Sequence, residues 1–286
     1  MERRTQRKKP KRVKYYVFNI KLRSNLRSGT EAYKNMFIEL FRKKIMKPVP
    51  HDKEMILRTQ FLKVNEGKEF FTGKISKFTK IDNKDWINLD NLEIEEVAIP
   101  ANRFPNLKET DYVFVPSAHR FAIVKKVEVT VPSVLAFLTD ALQEIIMEGE
   151  YVDVIVQQAN NVFEEILNAN SIEKLKIEIS YTNDDIVEGA EEFMDELLKG
   201  AGIGKLTIEA KADHNRNINV TSEVIGGALL LAKSNGSVEA KIVDNQNKKQ
   251  LLRTEEYPEE FVTTYLDAFE ESDSIARDIL NEYRNE

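Results

Sequence analysis

A change of period within one stretch, Asp111 to Gln143, constrains this chain more than any other feature. Tyr112, Phe114, Phe121, Ile123, Val127, Val129 and Val131 alternate with other residues, which is strand periodicity. Pro116, Ser117 and Ala118 supply the turn between the first two runs. After Pro132 and Ser133, apolar residues recur at three- and four-residue spacing: Val134, Phe137, Leu138, Ala141, Leu142 and Ile145. That is one face of an amphipathic helix, expected over 133–148. A β-hairpin that runs straight into a helix divides the chain into an α+β unit before it and a second unit after it.

The first unit, 14–149, opens with a strand at 15–22 whose neighbouring positions are nearly all apolar. Punctuation at Ser28-Gly29-Thr30 precedes an amphipathic helix at 30–46, which Pro48 and Pro50 end. Strands at 55–64 and 68–80 flank Asn65-Glu66-Gly67, a hairpin loop with glycine where positive φ is needed. Residues 82–110 look irregular and hold the only tryptophan, Trp86, with a short strand candidate at 93–99. This unit is therefore expected to be a mainly antiparallel sheet carrying two helices.

Gly149-Glu150 marks the expected boundary of a second unit, 150–286. There strands (151–157, 174–181, 205–212, 238–244, 249–257) alternate with helices (159–168, 184–199, 221–233). The alternation predicts an α/β layer, partly parallel, closed by a long final helix at 259–284.

Charge is distributed unevenly. Residues 1–28 hold eleven Lys or Arg and one Glu, so the net −6 of the whole chain conceals a strongly acidic remainder. Residues 1–13 contain little to bury and are expected to form a flexible basic arm. Arg3, Arg4, Arg7, Lys8, Lys9, Lys11, Arg12 and Lys14 could neutralise several phosphates and release counterions, with Tyr15 and Tyr16 beside them. These eight are the candidate nucleic-acid-binding residues. A solvated tail, a ribosome-adhering end and an internal contact with the acidic body of the chain are the competing readings.

Catalytic signatures are sparse. The chain has no Cys, so thiolate chemistry and disulfides are excluded. Its three His show no metal-binding spacing: His51 follows a Pro-flanked loop, His119 sits at the hairpin turn and His214 lies in ADHNRN. Glu209-Ala210-Lys211 and Glu239-Ala240-Lys241 match the acid-x-Lys spacing of Mg²⁺ nucleases, with Asp184 or Asp185, and Asp213, as the upstream acids such a site needs. The same spacing is ordinary decoration on an exposed strand. GAGIG at 200–204 follows a helix, so it reads as a helix stop and not a phosphate cradle. No cofactor or metal site is expected. No apolar run spans a bilayer and no secretory signal is present, so the protein is expected to be cytoplasmic.

The strand YYVFNIKL, the segment GKISKFTKID-x-x-x-W and the hairpin VFVPSAHRFAIV resemble an uncharacterised bacterial and phage-borne family. The overall layout of the chain, a β-rich first half, a hairpin and helix in the middle, an α/β second half and a charged final helix, also resembles the RexA family of lambda-type phage-exclusion proteins. The resemblance covers most of the chain and implies a dimeric, cytoplasmic, non-enzymatic DNA-binding protein of phage exclusion or abortive infection. No binding residue carries over position by position. A Mg-dependent nuclease effector, or an assembly protein whose arm binds an acidic partner, remain the alternatives. Phe261, Val262, Tyr265, Leu266, Phe269, Ile279, Leu280 and Tyr283 give the final helix a long apolar stripe, expected to serve a homodimer or to pack on its own domain.

Overall fold

The computed structural model describes residues 9–180, 203–214 and 216–283. Strand β1 (Lys11–Arg23) leads to helix α1 (Gly29–Arg42), then β2 (Met46–Val49), β3 (Lys53–Asn65) and β4 (Lys68–Thr79). A small excursion, β5 (Trp86–Ile87) and β6 (Ile94–Glu95), precedes the central hairpin, β7 (Lys108–Val115) and β8 (Arg120–Val124), and helix α2 (Val131–Gln143). Strand β9 (Tyr151–Val156), α3 (Asn160–Leu167), β10 (Ser171–Ser180) and β11 (Lys205–Lys211) come next. They are followed by α4 (Glu223–Asn235), β12 (Gly236–Val243), β13 (Lys249–Arg253), β14 (Phe261–Tyr265) and α5 (Glu271–Glu282). The protein is α+β, and every pairing among the described strands is antiparallel.

The first sheet is built around β1. Its order is β14-β1-β8-β7-β4-β3-β2, with β9 also paired to β1. Residues Lys11–Tyr15 of β1 pair with β14 and Phe18–Arg23 with β9, while β8 holds the opposite edge. On one face Phe18, Ile20, Met55, Ile75, Tyr112, Phe114 and Phe121 lie beneath α1 and α2. On the other, Val13, Tyr15, Val17, Phe70 and Val113 meet Ile275, Ala276 and Ile279 of α5. Burial on both faces explains why β1 reads as a nearly unbroken apolar run. The β3–β4 connection turns on Glu66 (φ 49°) and Gly67 (φ 77°), a two-residue turn whose twist suits a hairpin.

The second sheet, β11-β10-β12-β13, is covered on one face by α3 and α4. It joins the first through a polar seam. Lys21 is buried and donates from Nζ to Asn235 Oδ1 at 2.6 Å and to the Ser180 carbonyl at 3.3 Å. Ser180 Oγ donates to Asp153 of β9, which within the first sheet also pairs with Arg23 at 2.8 Å. Beside the seam, between the β1–α1 connection and the residue before β9, Arg27 forks onto the buried carboxylate of Glu150 at 2.8 and 2.7 Å.

Five expectations are corrected. The second half is an antiparallel sheet and not a partly parallel α/β layer, because each of its described strands returns beside its neighbour in the opposite sense. The boundary at Gly149-Glu150 does not separate the sheets: β9, β14 and α5 all belong to the first body, since β1 offers pairing along both edges. Alternation through Val127–Val131 is not strand: β8 ends at Val124, Val127 is 90% exposed, and Val131 opens α2 with Pro132 in the first turn, where its missing N–H costs nothing.

The final helix starts at Glu271, because Phe261–Tyr265 pairs with β1. Phe261, Val262 and Tyr265 are therefore strand residues, and the apolar face of α5 lies on its own chain's sheet. Finally, the basic arm is not free through residue 13. Lys11, Arg12 and Val13 are in β1, and Val13 is buried against α5. The helix expected at 184–199 lies outside the described residues.

Candidate nucleic-acid interface

Of the eight basic residues singled out from the sequence, Arg3, Arg4, Arg7 and Lys8 lie outside the described residues. Lys9, Lys11, Arg12 and Lys14 are exposed at the start of β1. Pairing with β14 sets Arg12 opposite Thr264 and Lys14 opposite Val262. Strand alternation then puts Arg12, Lys14 and Tyr16 on the face that carries Phe18 and Ile20 farther along.

Cations from four more strands arrive at the same end of this face. The Lys125 N–H donates to the Lys14 carbonyl at 2.8 Å, so Lys125 prolongs β8 beside Lys14. Lys108 at the start of β7 is in register with Lys77 near the end of β4. Lys53 at the start of β3 pairs with Thr79. Each of these shares a face with a core residue two positions away: Ile123, Thr110, Ile75 and Met55 respectively. Arg12, Lys14, Lys125, Lys108, Lys77 and Lys53 thus form one cationic stripe across five neighbouring strands. From β1 to β3 it spans about 19 Å at roughly 4.8 Å per strand. One strand of a duplex presents about five phosphates over that length.

The two halves of the stripe differ electrostatically. Glu260 sits between Lys14 (2.5 Å) and Lys125, and their hydrogen bonds hold its carboxyl below the usual carboxylate range. Lys125 also lies over the Tyr16 ring at 5.6 Å. Lys77 and Lys108 have no ion-pair partner among the described residues. Burial, then the charge of Lys53, push the Lys77 ammonium below its usual pKa, and Glu128 only partly opposes this. The arm was legible as a run. The remainder of the stripe was not, because single lysines on four strands carry no local pattern.

The other candidates disperse. Glu209-Lys211 and Glu239-Lys241 stand on the solvent face of β11 and β12, on either side of β10, with Lys176 in register with both glutamates. Glu209 pairs with Lys174 at 2.8 Å, Glu239 with Arg253 at 2.7 Å and Lys241 with Glu173 at 2.8 Å. Asp213 is exposed beyond the end of β11, while Asp184 and Asp185 lie outside the described residues. Among the described residues no cluster of three or more His, Cys, Asp or Glu is placed to hold a metal ion. His51 occupies the β2–β3 turn, His119 stacks on Tyr33 with ring centroids 3.8 Å apart, and His214 is exposed. Of GAGIG, only Ile203 and Gly204 are described. No described helix is long and apolar enough to cross a membrane.

Fold and site together define an α+β protein of two main antiparallel sheets and a small two-stranded one, with cations gathered at one end of the largest sheet. Within that class the chain belongs to the family described as domain of unknown function DUF4747, whose model matches residues 11–281. The match starts at the first residue of β1, so the stripe falls inside it and most of the arm ahead of it. No curated protein matches the chain.

Proposed function

We propose that the chain is a non-enzymatic DNA-binding protein whose basic arm and cationic stripe together hold the phosphate backbone. The observation that carries this reading is the placement of Lys53, Lys77 and Lys108 on the same face and end of the sheet as Arg12 and Lys14, at the root of the arm. Gathering like charges costs a fold stability, and a polyanion offsets that cost when it binds. From the resemblance to RexA-type exclusion proteins we further propose that it acts in phage exclusion or abortive infection, in the cytoplasm and as a homodimer. The dimer rests on that resemblance alone.

A gel shift with single- and double-stranded DNA and RNA, with and without Mg²⁺, tests the reading. The expected result is a shift that weakens steeply with salt and leaves the nucleic acid intact. Absence of any shift at low salt refutes it. Mg²⁺-dependent cleavage replaces it with the nuclease.

A further inference from the structure

At the β3 end of the stripe the surface opens into a cleft of about 1220 Å³. The β2–β3 turn, residues 80–83 and residues 96–104 form its walls. Backbone hydrogen bonds fasten these walls together: Val97 N–H donates to Asn83 O at 2.9 Å, and Thr79 N–H donates to Pro105 O at 3.0 Å. Thr79 Oγ1 accepts from Asn106 Nδ2 at 3.1 Å and from Lys53 Nζ at 2.8 Å. Lys53 is therefore common to the stripe and the cleft.

An aromatic ring stands in the wall. Phe104 stacks on buried Phe78, with centroids 4.9 Å apart and planes 26° from parallel. It lines the cleft and remains 39% exposed. The cleft is lined by Lys53, Lys80 and Arg103 and by four carboxylates, Asp52, Glu54, Asp82 and Glu96, with Lys80 3.9 Å from Glu54 and the Asn83 amide donating to Glu96. A site for a bare anion would not carry these carboxylates. A nucleotide uses both sets: cations suit its phosphate, acceptors suit the N–H groups on its base edge, and a ring suits its π-face.

We propose that this cleft takes an unpaired nucleotide of a single-stranded nucleic acid whose backbone runs along the stripe, with the base stacked on Phe104 and the phosphate beside Lys53 and Arg103. The inference rests on the polyanion-binding reading above and specifies its substrate class. A base inside a duplex has no free face to offer, so the cleft discriminates where the stripe alone does not.

The test uses the full chain with a short mixed-sequence DNA oligonucleotide and its duplex, followed by fluorescence anisotropy and by the emission of Trp86. Trp86 is the only tryptophan and donates from Nε1 to Asp82 O at 2.7 Å in the cleft wall. The single strand is expected to bind at least about fivefold more tightly than the duplex, from the stacking of one base. It alone should change the Trp86 emission. Phe104→Leu, which keeps the packing on Phe78, should abolish the preference and leave duplex affinity unchanged. If circular dichroism shows that this variant misfolds, the exposed Arg103→Gln should reduce single-strand affinity in the same selective way. Equal binding of both forms, with Trp86 and the variants silent, overturns this inference and leaves the proposed function standing. Failure of every nucleic acid to bind the wild-type chain overturns both.

Discussion

Lys77 of β4 lies directly opposite Lys108 of β7, two like charges in register on neighbouring strands. Neither has an ion-pair partner among the described residues, and Lys53 adds a third positive charge close by. Directly opposed like charges destabilise a sheet, in contrast to the neighbouring pair Lys74–Asp111, which is closed by a 2.6 Å ion pair. The sheet therefore carries a charge pair at the edge of its core that Glu128 only partly offsets, and the proposed ligand would offset it further.

Replacing both lysines, Lys77→Gln with Lys108→Gln, should raise stability in urea by about 0.2–1 kcal/mol as the repulsion is removed. The same change should weaken nucleic-acid binding and lower the slope of log affinity against log salt by roughly 1.4–1.8, because two phosphates are no longer neutralised. An unchanged slope would remove these lysines from the interface.

Deleting residues 2–8 should leave the unfolding midpoint unchanged, because the segment has almost nothing apolar to bury. It should also flatten the salt dependence, since four candidate cations go with it. Extending the deletion through Val13 should lower the midpoint as well: this removes the β1 pairs with Tyr265, Thr264 and Thr263 and a buried valine from the α5 core. Denaturation of the two truncated chains separates the binding role of the arm from the folding role of β1.

The Arg27–Glu150 pair predicts an acid-sensitive step. Hydrogen bonds from Arg27 bring the Glu150 carboxyl down to about 2, from an unperturbed 4.5. A depressed carboxylate stabilises the fold fully above the unfolded value and loses that contribution as pH falls from about 4.5 towards 2. The amount at stake is roughly 3 kcal/mol by linkage. Glu150→Gln should be destabilised near neutral pH and should lack this part of the acid transition in pH-dependent denaturation. A variant that tracks the wild type through the whole range would show that the pair contributes nothing.

Glu209→Gln and Glu239→Gln should each keep binding and any activity within about threefold, because exposed ion pairs contribute roughly 0–1 kcal/mol. Loss of Mg²⁺-dependent cleavage in either variant would promote the nuclease reading.

A chain ending at Tyr257 should fail to fold cooperatively, because β14 and α5 together cover Val13, Tyr15 and Val17. Light scattering of the intact chain at micromolar concentration reports its oligomeric state independently. A well-folded truncated chain would show that α5 is dispensable to the core and available to a partner.

Local pattern alone determined a good deal of this protein. Three-to-four spacing placed α1, α2 and α3, because each buries one face whose period is written along the chain, and the alternating aromatic residues placed the β7–β8 hairpin although both its faces are buried. Gly67 marked its turn because few other residues accept φ 77° without strain. The basic arm was visible as a run of charge. What the tertiary structure decided was partnership. Phe261 and Tyr265 fit a helical stripe and a strand face equally well in sequence, and the free edge of β1 settled the matter in favour of a strand. The open edge of β1 likewise drew β9 and β14 into the first sheet, across a boundary that composition suggested. Beyond Arg12 and Lys14 the cationic stripe had no trace in sequence, because Lys53, Lys77, Lys108 and Lys125 become neighbours only when four separate strands pair in register, and register is set by contacts between distant segments.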